Sequence, residues 1–426
     1  ASPGVNLTVV VQFVNHAPSF TLPHALLTYS ERTSAAAVTV AGFASSISGG
    51  SPNGNENGQA LSFLLTLVYV SDANLFSVPP AINASGTLAF TVGAYRFGTA
   101  VYSMVLHDDG GTARNGSDTS AAVNFNVTVN FVNNPPTFTV AQPTISLLET
   151  TSSNSQNIAS WASSISPGSP NGNENNQALT FRLSLISISD SQLFSAAPTV
   201  STAGLLSFTV GAYRFGTAVY SVALVDDAGG SDTSTSVTLQ ISVAFVNHPP
   251  VFTLSQSVVS VWTTPDATNY NITGTVVVVS GGSPNGNENF QALSFILTWT
   301  GAGPSGLFDD GPRVNADGTI VFRTTACAVG TFDFLLALAD DGSGSNTSST
   351  QALQIAVVWV NYPPTFTLPS TSLTVSEPQS GNAPMSFPSF ATGVSSGVCP
   401  YGAAQTVSFT VTAVLARVGT TGSYTS

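Results

Sequence analysis

Lysine is absent from the 426-residue chain, and all eight of its basic residues are arginines. That absence excludes Schiff-base chemistry, a P-loop lysine and Lys–Asn isopeptide crosslinks. Charge of either sign is scarce: 7% of residues are charged, and 21 acids against eight bases give a net charge of −13. An acidic chain lacks the cations that release counterions from a phosphate backbone, so nucleic acid is not an expected partner. No run of eighteen apolar residues occurs, and no segment reads as a membrane span. The motifs of common catalytic sites are also missing, namely G-x-S-x-G, H-E-x-x-H and a G-x-G-x-x-G after a strand. Of the histidines His16, His24, His107 and His248, only His107 adjoins an acid in the manner of a general base. Val225 and Ala339 replace it in the later repeats, so no enzyme is expected.

What is present is repetition. The segments VNHAPSFT, VNNPPTFT, VNHPPVFT and VNYPPTFT start at residues 14, 132, 246 and 360, a period of 118 and then 114 and 114 residues. The loop SPNGNEN keeps the same intervals, at 51–57, 169–175 and 283–289, and so do the acid pairs Asp108–Asp109, Asp226–Asp227 and Asp340–Asp341. The expected division is 1–15, the last strand of a preceding repeat, then 16–133, 134–247 and 248–361, and a partial repeat at 362–426. The chain opens in mid-pattern without a signal peptide and reads as a window cut from a longer array.

Within a repeat the pattern is short strands with period-two alternation, separated by turn residues, with almost no helical periodicity. In the first repeat the expected strands are A (19–30), B (36–46), C (61–70), D (75–82), E (87–92), F (100–107) and G (120–132). On C, Leu61, Phe63, Leu65 and Leu67 share one face. Seven strands in such a length imply an all-β tandem array of immunoglobulin- or cadherin-like sandwiches, with Phe63, Phe76, Phe90 and Tyr102 in the first core.

The V-N-x-P-P-x-F-T junction, the Glu sixteen residues after its Asn (Glu31, Glu149, Glu377) and the D-D-G-G before the last strand resemble the cadherin-like tandem repeats of large surface proteins. The resemblance covers the three full repeats and the partial one. It implies calcium at the junctions, with Glu31, Asn133, Asp226 and Asp227 as the candidate ligands; no other cofactor is expected. This chain departs from the family at the linker acid, where it has His16, Asn134, His248 and Tyr362, and in the turn between E and F, where Ala-Tyr-Arg stands.

Alternating strands place the BC and FG loops at the end that meets the preceding repeat, and the AB and EF turns at the other. SPNGNEN is the BC loop. One junction therefore gathers Glu31 and Arg96 from one repeat, Asn133 and Asn134 from the linker, and Glu174, Asp226 and Asp227 from the next. Arg96 is expected to pair with Glu174, and Arg214 with Glu288. In the third repeat Ala328 replaces the arginine and Thr263 the AB glutamate; in the fourth, Gly402 replaces the loop glutamate. The only cysteines fall at the same places, Cys327 at the position of Tyr95 and Cys399 at that of Asn53. They are expected to bridge, replacing the ionic clamp; free thiols or bonds to other chains are the alternatives.

N-x-S/T sequons stand at Asn6, Asn83, Asn115, Asn126, Asn271 and Asn346. A charge-poor surface must be solvated by Ser, Thr, Asn, Gly and N- and O-linked sugar, which points to an extracellular or cell-surface location. The expected function is a stiff, glycosylated rod or filament whose partners are neighbouring repeats or other copies. The alternative is an adhesin or stalk that binds glycans or another surface protein.

Overall fold

A computed structural model describes residues 2–301, 303, 305–376, 384–399 and 405–412. The chain divides into two compact units, residues 1–244 and 245–426. The first contains two β-sandwiches, and the second contains one sandwich followed by a two-stranded pair. Glu377 and Gly402 lie outside the described residues.

The first sandwich is built from β1 (Ser19–Thr21), β2 (Leu26–Ser30), β3 (Ala36–Val40), β4 (Ser45–Ser48), β5 (Ser62–Val70), β6 (Phe76–Ile82), β7 (Leu88–Val92), β8 (Gly98–His107) and β9 (Val123–Asn130). One sheet runs β2-β9-β8-β5 and the facing one β3-β7-β6, with β1 paired to β4. β2 joins β9 in parallel, whereas every other pair is antiparallel. That strand order is the tandem immunoglobulin- and cadherin-like sandwich read from the sequence. It recurs in the strands from Thr137–Val140 to Val237–Ala244 and in those from Val251–Leu254 to Gln351–Val358.

Strand β8 shows why these residues form sheet. Ala100, Tyr102, Met104 and Leu106 are buried while Val101, Ser103 and Val105 between them are half-buried, so one face fills the core at every second residue. Phe90, Phe125, Val127 and Val129 complete that core.

Three features depart from expectation. Strands A and B each break in two, because the chain leaves one sheet and joins the other. The break in B carries Gly42 in the left-handed region (φ 65°), and its counterpart Ser160 does the same (φ 55°). On strand C, Leu67 is 49% exposed and does not enter the core. A register shift between Leu67 and Tyr69 inserts a bulge that turns the following side chains to the opposite face. Residues 2–18, expected to begin with a last strand, form none. A strand needs a sheet partner for its N–H and C=O groups, and none of the described strands pairs with this segment.

Candidate functional site

The side chains that recur from repeat to repeat converge on the linker. Its asparagine sits beneath the FG and BC loops. The Nδ2 group of Asn15 donates to Asp108 Oδ1 at 2.7 Å, that of Asn133 to both oxygens of Asp226 at 3.0 and 3.1 Å, and that of Asn247 to Asp340 Oδ1 at 3.0 Å. The Oδ1 atom of each accepts from a glutamine, Gln59, Gln177 or Gln291. Asn361 accepts from Gln405 in the same way. The next linker residue serves the loop glutamate. Glu56 Oε1 accepts from the backbone N–H of His16 and faces its Nδ1 at 3.0 Å; Glu174 Oε1 accepts from N–H and Nδ2 of Asn134, both at 3.1 Å; and Glu288 Oε1 accepts from the N–H of His248 at 2.9 Å.

A glycine lets the loop approach this closely. Gly50, Gly168, Gly282 and Gly397 all hold φ between +121° and +131°, and a Cβ on any of them would lie 2.5–2.7 Å from a linker carbonyl oxygen. Neither the glutamine nor this glycine was anticipated as functional. The signal was present, since Gln recurs 44 residues after the linker Asn in all four repeats.

Within unit 1 the loop also crosses to the preceding sandwich. The amides of Asn171 and Asn173 both donate to the carbonyl of Tyr95, the latter at 2.8 Å, and Tyr95 itself holds φ 51°. Glu31, 5% exposed, accepts from the linker N–H of Val132 at 3.2 Å through Oε2. In unit 2 the corresponding two positions carry Cys327, also left-handed at φ 55°, and Cys399, and they form a disulfide with Cα atoms 5.1 Å apart. Two further contacts bind that joint: Trp359 Nε1 donates to the Cys399 carbonyl at 3.0 Å, and the Tyr362 hydroxyl to the Thr263 carbonyl at 2.8 Å.

Within unit 1 the expected Arg96–Glu174 clamp is not what forms. Arg96 pairs with Asp72 at 3.2 Å, and Arg214 with Asp190 at 3.3 Å, each inside its own sandwich. Glu174 takes its hydrogen bonds from Asn134, and Glu288 takes its own from His248. The physical reason is economy of desolvation: neutral amide N–H groups already meet Glu174, whereas a guanidinium there would bury a further charge. The short turn before β6 meanwhile offers Asp72 beside Arg96.

The calcium candidates do not fit a calcium site. Asp226 accepts from Asn133 and from the N–H of Ala228, and Asp227 Oδ1 accepts from the N–H of Ala178. Among the described residues no donor reaches Glu31 Oε1 or Glu174 Oε2 within hydrogen-bond geometry, but calcium takes about six to eight oxygens. Among the described residues no three His, Cys, Asp or Glu side chains cluster to hold a metal.

Burial pushes the Glu31 carboxyl above the ordinary carboxylate range; the Val132 N–H opposes this, the charge of Glu174 adds to it, and the Asn173 amide opposes it weakly. Burial also pushes Glu56 up, but hydrogen bonds from His16 outweigh it and bring Glu56 below its usual value. The signs therefore differ. A raised folded pKa gives Glu31 a contribution present at low pH and lost as pH rises through that pKa, whereas the contribution of Glu56 is lost as pH falls through its depressed one. Glu31→Gln keeps an acceptor for Val132 and cannot ionise. Its melting temperature is expected to rise relative to the unsubstituted chain between about pH 4 and about pH 7. Parallel thermal melts of the two proteins across that range check this, and an unchanged difference contradicts it.

Among the sequons, Asn83, Asn115, Asn271 and Asn346 are exposed, as is Asn6 in the segment without a strand. Asn83 accepts three hydrogen bonds, from the N–H and hydroxyl of Ser85 and the N–H of Thr87. Asn126 lies on β9 between buried Phe125 and Val127 and is half-buried on the outer face. His107 faces Asp118 at 3.5 Å.

No family model and no curated protein matches the chain. Among solved structures it is similar to the ectodomain of human desmocollin-1 (TM-score 0.29, 12% identity, 83% of this chain and 63% of that one). A three-repeat fragment of mouse protocadherin-24 gives 0.31 and 14% over 81% of this chain and all of that one. An I-band fragment of titin gives 0.28 and 10% over 80% and 98%. The chain spans less than two thirds of the desmocollin ectodomain. The assignment as tandem immunoglobulin- and cadherin-like β-sandwiches rests on the chain's own strand order and repeats.

Proposed function

We propose that this chain belongs to an extracellular structural protein. In this reading, sandwiches bounded at 16–133, 134–247 and 248–361, with a further one beginning at 362, join end to end into a stiff, glycosylated rod or filament. The observation that carries the reading is the use of the SPNGNEN loop. Its polar groups turn toward the linker and, in unit 1, toward the preceding sandwich. The internal similarity of the repeats is strictest where they meet, which suits a protein whose property is the connection itself. Two adjacent prolines at 135–136, 249–250 and 363–364 stiffen the linkers toward extended geometry.

Sugar supplies the solubility that seven charged residues in a hundred do not. Exposed Asn115 and Asn346, in FG loops, are the preferred acceptors. The chemistry is that of a scaffold with no catalytic step, and its partners are neighbouring repeats or further copies. Negative-stain microscopy of the secreted, glycosylated chain tests this: narrow particles that lengthen with each added repeat are expected. Compact particles that bind selectively to a glycan array would overturn the rod in favour of an adhesin.

A further inference from the structure

We propose that N–H groups of the linker occupy the place a bridging divalent cation would take, so that the joint at Asn133–Asn134 holds without calcium. This stands whether or not the repeats assemble into a rod.

Asn133 Nδ2 spans both oxygens of Asp226, and its own Oδ1 is held in place by Gln177. Asn134 sends two N–H groups, one from backbone and one from side chain, to a single oxygen of Glu174. Asp227 is engaged by the N–H of Ala178. Three acids on two loops are thus tied together, and to the linker, by donors from the chain. The arrangement is built three times over. Asn15 and His16 meet Asp108 and Glu56, and Asn247 and His248 meet Asp340 and Glu288, at the same sequence separations of 93 and 40 residues. Ala60 and Ala292 likewise engage Asp109 and Asp341.

The linker residues explain why donors can stand there. A carboxylate in place of Asn133 or Asn134 would offer only acceptors, would face Asp226 or Glu174, and would need a cation between them. An amide or imidazole presents N–H to the same oxygens and needs none. The acceptors left over at this joint include Glu31 Oε1, Glu174 Oε2 and Asn173 Oδ1, of which only two belong to carboxylates. Divalent sites that bind tightly use more anionic ligands.

The test uses the whole chain, first unsubstituted and then as Asn133→Asp with Asn134→Asp. For the unsubstituted chain we expect the same melting temperature in EDTA and in millimolar calcium, and no binding heat on titration with calcium alone. The doubly substituted chain is expected to lose roughly 2–4 °C in EDTA and to regain it in calcium. Asn134→Ala is expected to lose stability equally in both. A fall in the melting temperature of the unsubstituted chain on adding EDTA overturns the proposal. So does a doubly substituted chain weakened to the same extent with and without calcium. Should that chain fold only in calcium, the proposal is supported in its strongest form; should it fold in neither, the EDTA comparison on the unsubstituted chain decides alone.

Discussion

Cys399→Ser lowers the free energy that holds the segment after residue 361 to the third sandwich by about 4 kcal/mol. The bridge closes a loop of 72 residues, and in the chain-entropy model the cost of closing a loop of that length falls on the unfolded state. Among the described residues, little else holds that segment. Its paired strands are Thr365–Thr367 and Thr392–Ser395, and the Phe366 and Phe409 rings that pack edge to face are 52% and 54% exposed. With the disulfide gone, the hydrogen bonds from Trp359 and Tyr362 are left, each worth about 1 kcal/mol net. Limited proteolysis with and without reductant reads the effect. Cleavage within residues 362–412 is expected to accelerate on reduction and to be fast in Cys399→Ser under either condition, while the third sandwich stays intact. Equal protection in both states would mean the bridge is incidental.

Tyr95 and Asn171 stand 76 residues apart in sequence, and the amide of one touches the carbonyl of the other. They occupy the positions of Cys327 and Cys399, and Tyr95 shares the left-handed backbone of Cys327 (φ 51° and 55°). Tyr95→Cys combined with Asn171→Cys should therefore close a disulfide without strain. The expected gain is again about 4 kcal/mol, offset by the loss of the Asn171 side chain's hydrogen bonds with Tyr95, Ser169 and Asn173, each worth at most about 1 kcal/mol. The net result is a melting transition for this joint several degrees higher, which reductant abolishes.

Much of this was legible in the sequence, for reasons that differ by feature. The sandwiches follow from period-two alternation, as in β8, where each inward residue is apolar, and from turns at fixed intervals. The disulfide followed from superposing repeats, because a fixed period puts Cys327 and Cys399 on turns that face one another. The breaks in strands A and B were not legible: in the second sandwich Ser160 adopts a backbone that serine rarely signals. Nor was the exposure of Leu67, since a bulge leaves no mark in a hydrophobic run.

The arginine is the most instructive case. Three acids vanish where it is lost, Thr263 standing for the AB glutamate, Gly402 for the loop glutamate and Pro304 for Asp72 and Asp190. Coincident loss could not choose between them. The ion pairs choose Asp72 and Asp190, which lie on the same sandwich as their arginines. The amide network around Asn15, Asn133 and Asn247 was hidden for another reason. Asparagine in a loop is ordinary, and only the position of its Nδ2 against an FG aspartate distinguishes it.

The central claim is that one joint geometry is closed by amide hydrogen bonds between the first two sandwiches and by a disulfide after the third. Peptide mapping of the Tyr95→Cys, Asn171→Cys chain under non-reducing conditions tests it most directly. A peptide linking positions 95 and 171, beside one linking Cys327 and Cys399, is the result predicted. Free thiols at 95 and 171 in folded protein, or cross-pairing with the native cysteines, would contradict it.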